Sequence, residues 1–246
     1  MFVSRSRCLF DMPSIAARLG DVQARIKNAA QLGAPPRLVV VSKTKPLSAI
    51  REAYDAGHRH FGENYVQELV EKAPRLPHDI QWHFIGKLQS NKVGKLLKGC
   101  PTLACVETIT SQKLAVAVNR TWEAQTSGSP ARLRVFVQVN SSGETSKNGI
   151  DADHCASLCR FIVNECPGLQ LKGLMTIGAP DYSGCRAVDF ETLRQCRVEV
   201  AAATGIELAQ LELSMGMSND FEKAVVEGST SVRVGSAVMG ARDYSE

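Results

Sequence analysis

The chain has no apolar run approaching the roughly 18 consecutive residues that a bilayer-spanning helix requires, and charge breaks every hydrophobic stretch within about ten. A membrane span is not expected. An excess of one charge is also missing: 29 Lys and Arg stand against 25 Asp and Glu, a formal net charge of +4. So slight a bias does not call for nucleic acid or an anionic membrane as partner, although phosphate-bearing small molecules remain attractive. None of the eight cysteines forms a C-x-x-C pair, and a chain of 246 residues is far larger than disulfide-framed domains. Free thiols in a reducing compartment are expected. Cys155 and Cys159 lie one helical turn apart, but no second pair completes four zinc ligands, so no metal is expected. H-E-x-x-H is absent, and Gly235 to Gly240 has Walker A spacing without the following lysine. No Pro/Gly/Ser-rich linker divides the chain.

What is present is ordinary globular composition, 44% hydrophobic and 22% charged, enough for one large core. The expectation is one domain over residues 13–246 behind an extension of residues 1–12. Met1 to Phe10 carries Arg5 and Arg7 with no acid before Asp11. That is faintly like a transit peptide but too short for one, so a cytoplasmic location is expected. From Pro13 to Leu32 the residues Ile15, Leu19, Val22, Ile26 and Ala29 keep helical spacing, which predicts an N-terminal helix.

Eight short β-branched or apolar runs follow: Leu38 to Ser42, Arg59 to Phe61, Ile80 to Ile85, Leu103 to Glu107, Leu133 to Asn140, Leu171 to Ile177, Leu211 to Ser214 and Val232 to Val234. Stretches such as Ser48 to Gly57, Ser90 to Leu97, Ser111 to Gln125, Asp151 to Glu165 and Asp189 to Thr204 are long enough for crossover helices. A doubly wound open sheet shows the same alternation, but a count of eight favours an α/β (β/α)8 TIM-type barrel with an extra N-terminal helix.

Alternate strand residues face opposite sides of a sheet, and one side of a barrel strand must meet the helices. Val135, Val137 and Val139 then face outward, leaving Phe136, Gln138 and Asn140 inside. The same reading turns Gln81, His83, Ile85, Glu212, Ser214, Arg233 and Gly235 inward, and puts Lys43 on the parity of Val39 and Val41. Polar groups therefore gather near the strand C-termini, where such barrels carry their active sites.

Lys43 ends the first strand, where partial burial favours the neutral amine that forms a Schiff base with an aldehyde. Lys45 shares its parity but precedes Pro46, which favours a loop position beyond the strand, so Lys43 is preferred. After the seventh strand, Met215 to Ser218 offers backbone N–H groups and a hydroxyl ahead of a helix beginning near Asn219. Gly235 and Ser236 repeat the arrangement after the eighth, before a short turn over Ala237 to Met239. An aldehyde-trapping amine facing a phosphate cradle specifies a ligand with both groups. Pyridoxal 5′-phosphate is the obvious candidate.

Several blocks in order carry a resemblance: V-S-K-T-K-P from Val41, F-G-E-N-Y-V-Q-E from Phe61, W-H-F-I-G from Trp82, L-Q-S-N-K from Leu88, G-L-M-T-I from Gly173, L-S-M-G-M-S from Leu213 and V-R-V-G-S from Val232. Over Leu38 to Tyr244 the chain resembles the pyridoxal phosphate homeostasis protein family. The resemblance implies a fold-type III barrel like the N-terminal half of bacterial alanine racemase, with the cofactor held as an internal aldimine on Lys43. It further implies that Asn64 and His83 line the cofactor ring and that Arg233 meets the pyridine nitrogen. Ser218 with the backbone after Met217, together with Gly235 and Ser236, is implied to hold the phosphate. Met175 and Ser214 complete the implied cofactor set. The chain departs from the family's common pattern at Ser236, where threonine is usual, and at Thr176, where alanine is frequent. Serine keeps the donor, whereas a hydroxyl as deep as that of Thr176 needs a partner.

An arginine on the pyridine nitrogen makes the cofactor a poorer electron sink than a carboxylate does. The chain ends at Glu246 without the second domain from which the racemase draws its second acid or base. Tyr65, Tyr182 and Cys105 are the substitutes within the barrel, and no spacing nominates one. The expected function is therefore intracellular storage, buffering or delivery of pyridoxal phosphate without robust catalysis, with dependent apoenzymes as recipients and the protein a monomer or weak dimer. A weak racemase or lyase acting through Lys43 is the alternative. A third reading is a phosphate-sugar aldolase or isomerase using Lys43 directly. Lys92, Lys95 and Lys98 read as a solvated basic face, and His58 and His60 as surface or core histidines.

Overall fold

The computed structural model describes residues 13–31, 33–126, 131–143, 148–178 and 185–241. The expectations for residues 1–12 and for Tyr182 lie outside the described residues. Among the described residues nine strands form: β1 (Arg37–Val41), β2 (His60–Glu63), β3 (Gln81–Phe84), β4 (Leu103–Ile109), β5 (Leu133–Asn140), β6 (Ile150–Asp151), β7 (Leu169–Met175), β8 (Glu212–Ser214) and β9 (Ser231–Val234). All pairings are parallel, and the order β1-β2-β3-β4-β5-β7-β8-β9 returns to β1, which closes an eight-stranded barrel. The two-residue β6 pairs with the end of β5, outside the ring. Each of the eight expected runs supplies one stave, with no end displaced by more than two residues.

The helices are α1 (Ile15–Ala29), α2 (Leu47–Asp55), α3 (Val66–Lys72), α4 (Val93–Gly99), α5 (Gln112–Gln125), α6 (Ala152–Glu165), α7 (Ala187–Thr204), α8 (Phe221–Val226) and α9 (Ser236–Met239). The apolar stripe of α1, Ile15, Leu19, Val22 and Ile26, is buried, and α1 packs on α2, α8 and α9. Ser14 Oγ caps it by accepting the Ala17 N–H, and Ser111 Oγ does the same for α5 at Leu114. Two starts differ from expectation. Ser90–Lys92 form a 3₁₀ turn, so Lys92 precedes α4 instead of sharing it with Lys95 and Lys98. The helix expected near Asn219 begins at Phe221, because the Asp220 carboxylate accepts the Met217 N–H at 2.5 Å and holds the preceding residues in a turn.

Strand parity divides the interior into two zones. Outward residues, among them Val40, Phe61, Trp82, Val137 and Val234, join the helices in one large apolar layer. Inside the ring a small apolar cluster of Cys105, Phe136 and Met175 remains, and polar groups fill the rest. Three irregularities adjust this register, at Ala104 against β3, between Val106 and Ile109 against β5, and at Lys172 against β5. The last lets Leu171 join the outer layer while Met175 turns inward. Gly173 follows it, where a Cβ would lie 1.9 Å from the Glu212 carbonyl oxygen, so only glycine allows β7 and β8 to approach so closely. Towards the strand N-termini Arg37 pairs with Glu212 at 2.6 Å, and Lys172 approaches the same carboxylate at 3.8 Å. Among the described residues no helix is long and apolar enough to cross a membrane.

Candidate functional site

The strand C-termini bring the expected site residues to one end of the barrel. Val41 pairs with Gly62, so Lys43 and Asn64 leave adjacent strands side by side. On the other flank Val40 pairs with Val234, which sets Gly235 and Ser236 beside the same turn. Lys43 is half-buried, whereas Lys45 Nζ donates to the Ala241 carbonyl, which ties that amine to the segment after α9. Of the two, Lys43 is the lysine nearer the end of β1.

On that same flank, Ser218 Oγ accepts the Gly235 N–H at 3.2 Å and joins the turns after β8 and β9. Gly216 has φ +97, and a Cβ there would meet that of Ala224 at 2.5 Å. The left-handed backbone and the tight packing both call for glycine. The first turn of α9, opened by exposed Ser236, adds N–H groups that its own helix leaves without carbonyls. Together these groups can hold an anion.

Below the mouth runs a chain of buried polar groups. Arg233 Nη1 donates to Ser214 Oγ at 2.7 Å and Nη2 to the Thr176 carbonyl at 2.5 Å. Ser214 Oγ donates to Glu107 Oε2 at 2.6 Å, and His83 Nδ1 lies 2.7 Å from Glu107 Oε1. His83 Nε2 faces His60 Nδ1 at 3.2 Å. Since a carboxylate only accepts, the hydrogen on His83 Nδ1 is fixed. Burial pushes the Glu107 carboxyl up, but the His83 imidazole and then Arg233 outweigh it and hold the group below its ordinary range. His83 is therefore engaged through both nitrogens, and meets whatever lies above it by its ring.

Parity located Arg233, Ser214 and His83 correctly, but Glu107, which joins them, was read only as the end of a strand. The available signal was a lone carboxylate in the largely apolar run from Leu103 to Ile109. His60, read as an ordinary core or surface histidine, is the end of this chain; burial followed by the neighbouring His83 lowers its pKa to about 3. The partner that Thr176 requires is Ser141, whose Oγ lies 2.8 Å from Thr176 Oγ1. Met175 stays deeper, with Cys105 and Phe136. Met217 and Ser218 are half-buried at the rim.

Among the described residues four buried side-chain atoms lack a hydrogen-bond partner, Glu63 Oε2, Trp82 Nε1, Ser231 Oγ and Asn64 Oδ1. Asn64 Oδ1 is buried and accepts nothing, an acceptor held ready beside Lys43. Its backbone is fixed by Gly86, where a Cβ would fall 1.9 Å from the Asn64 carbonyl oxygen. Gly86→Ala is expected to displace Asn64 and to lower stability by about 1–3 kcal/mol, read from the denaturant midpoint. A variant with an unchanged midpoint would refute this packing argument.

His83, Cys105 and Glu107 also place ligand-type atoms within 4.8 Å of one another. Both Glu107 oxygens are already engaged, burial pushes the Cys105 thiol well up, and the Arg233 guanidinium stands nearby. That surrounding favours a hydrogen-bond chain over a cation. A cavity of about 550 Å3 opens elsewhere, on the helical face between α1, α7 and α8, with Phe190 and Val226 in its wall. Its Arg25 is paired with Glu222 at 2.8 Å, and none of the strand-end groups lines it.

Residues 18–243 match the family model described as alanine racemase, N-terminal domain. The chain is 50% identical over 218 residues to the pyridoxal phosphate homeostasis protein of Homo sapiens, covering 86% of this chain and 78% of that protein. It is 42% identical over 246 residues to the protein of the same name from Escherichia coli, covering 96% and 100%. Among solved structures, PipY of Synechococcus elongatus with PLP bound superposes with a TM-score of 0.72 at 34% identity, covering 92% of this chain and all of that one. With identity this high across most of the length, and a barrel whose mouth is built from the same sequence blocks, the chain belongs to the pyridoxal phosphate homeostasis protein family.

Proposed function

We propose that the chain binds pyridoxal 5′-phosphate through a Schiff base on Lys43 and serves intracellular vitamin B6 homeostasis by storing, buffering or delivering it. The observation that carries this reading is the position of Lys43 between Asn64 on one strand end and the Ser218-bridged Gly235–Ser236 turn on the other. The group fits the residues present. Asn64 Oδ1 lacks a hydrogen-bond donor, and the joined turns offer N–H groups and hydroxyls to an anion. When bound, the cofactor supplies an aldehyde that condenses with the Lys43 amine and releases one water.

In this reading Asn64 and the His83 ring line the pocket above Met175. Arg233 faces the ring nitrogen, and Ser214 holds Arg233. Met217, Ser218, Gly235 and Ser236 retain the phosphate. Arg233 is wholly buried and burial lowers its pKa, but the charge of Glu107 opposes that loss. A guanidinium offers the ring nitrogen no ready proton, which supports holding over catalysis. Burial pushes the Cys105 thiol well up, so it stays protonated and provides no thiolate to act as a base.

The second reading, a weak racemase or lyase on the same lysine, draws on Tyr65, which follows Asn64 and leaves 54% of its surface exposed. The deciding experiment is borohydride reduction of the loaded protein followed by peptide mass mapping. A pyridoxyl adduct on Lys43 that disappears in Lys43→Ala is expected. An adduct on Lys45 would overturn the assignment to Lys43, and no visible band after incubation with the cofactor would overturn the proposal and favour direct use of the amine on a carbonyl substrate. Turnover of any amino acid in a steady-state panel, lost in Lys43→Ala, would instead establish the second reading.

A further inference from the structure

Both chain neighbours of Lys43 are held from outside the barrel by one helix. Thr44 has φ +61, a left-handed conformation uncommon for a β-branched residue. Its N–H donates to the Glu68 carboxylate, at 2.9 Å to Oε2 and 3.2 Å to Oε1. On the other side Lys72 Nζ donates to the Ser42 carbonyl at 3.0 Å, to Glu63 Oε1 at 2.9 Å and to Glu68 Oε2 at 2.7 Å. Those three bonds use every hydrogen of the ammonium. Ser42 Oγ in turn donates to Glu63 Oε1 at 2.7 Å. Glu68 and Lys72 stand one turn apart on α3, so a single rigid element grips the residues before and after the lysine.

We propose that Glu68 and Lys72 are positioning residues for Lys43: they hold Thr44 left-handed and thereby aim the lysine into the barrel mouth. The proposal rests on Lys43 being the residue that carries the cofactor. The orientation of the peptide between Lys43 and Thr44 depends on φ of Thr44, and a threonine left to itself abandons the left-handed region. Holding it there opposes a preference worth roughly a factor of ten in population. The Glu68 carboxylate supplies the opposing bond, a charge-assisted one to a backbone N–H. Lys72 keeps that carboxylate in place and anchors Ser42 at the same time. Helix packing and cofactor retention are thus connected through side chains that do not belong to the barrel interior.

Strain at Thr44 supplies a test that a merely structural role would fail. Glycine adopts the left-handed conformation without a steric penalty, so Thr44→Gly should make the clamp less necessary. In loaded protein, Glu68→Gln is expected to lose cofactor to an excess of an aminooxy scavenger about five to ten times faster than wild type. The pH midpoint of the visible adduct band should move as well. Thr44→Gly added to Glu68→Gln is expected to restore most of the retention, and Glu68→Asp to fall between wild type and Glu68→Gln. Melting temperatures of all four proteins identify any general loss of fold. Wild-type loss rates in Glu68→Gln, or faster loss that Thr44→Gly does not reverse, would overturn the proposal. Peptide mapping of the reduced wild type separates the two ideas. An adduct away from Lys43 removes both, and an adduct on Lys43 with an unaltered Glu68→Gln removes the clamp alone.

Discussion

Glu107→Leu is expected to lower the unfolding free energy by about 3–5 kcal/mol, the range found when one partner of a buried charge pair is deleted. Glu107 is fully buried, and its two oxygens accept from His83 at 2.7 Å and from Ser214 at 2.6 Å. Through Ser214 it is linked to Arg233, whose guanidinium is also buried and bonds to Ser214 at 2.7 Å. Leucine fills comparable volume but takes from that positive charge its strongest counter-charge and leaves two donors without an acceptor. Desolvation of those groups outweighs any gain in apolar packing. Glu107→Gln keeps one acceptor and should fall by less. At about 2–4 °C per kcal/mol for a chain of this length, Glu107→Leu should lower the melting temperature by roughly 10 °C. The double variant Glu107→Leu with Arg233→Leu should recover a large part of the loss, because it removes the stranded charge. A single variant within about 1 kcal/mol of wild type, measured by urea titration with an unchanged slope, would show that the chain carries no such burden.

The eight staves and the inward set His83, Ser214 and Arg233 were legible because a strand's period of two is a local property, and the apolar half must face the helices. Glu107 was not, since its meaning depends on contacts with β3, β8 and β9 that form only when the ring closes. Bulges add a second barrier. At Lys172 an extra residue reverses the parity, so counting from Leu171 would turn Met175 outward, whereas it lies inside with Phe136. The clamp on Lys43 was hidden for another reason. Glu63 shares the outward parity of Phe61, a carboxylate where the pattern calls for an apolar group, and its partner Lys72 lies on a helix that the periodicity did not single out. A charge on the helix-facing side of a barrel strand needs a partner, and here the sequence holds one nine residues on. Position alone put lysine, glycine and serine at the strand ends, whereas the roles expected of Lys43, Gly235 and Ser236 toward a cofactor came from the resemblance.

The pH dependence of stability should show a maximum near pH 6.5, set by groups that oppose one another. Burial above all pushes the Glu63 carboxyl up to about 7, against the pull of the Lys72 ammonium. A folded pKa above the unfolded one means that the folded state binds the proton more tightly. The stability from Glu63 is therefore fully present below its ordinary 4.5 and is lost as pH rises through about 7. At about 1.4 kcal/mol per pH unit, that gap amounts to about 3 kcal/mol. Histidines act in the other direction. Burial lowers His58 to about 4 and His60 to about 3, so their contribution is present above 6.5 and is lost as pH falls toward those values. His60 is only partly buried, and solvent screening narrows its range. Between about pH 4.5 and 6.5 two histidines oppose one carboxyl, which leaves a net loss of roughly 1.4 kcal/mol per unit on acidification. Between 6.5 and 7 Glu63 acts alone, with the opposite slope. Glu63→Gln should remove that decline, leave a plateau above pH 6.5 and roughly double the slope of the acid limb. Urea titrations of cofactor-free protein from pH 5 to 8 measure this without ligand linkage. Curves for wild type and Glu63→Gln that differ only by a constant offset would show that Glu63 does not titrate in this interval.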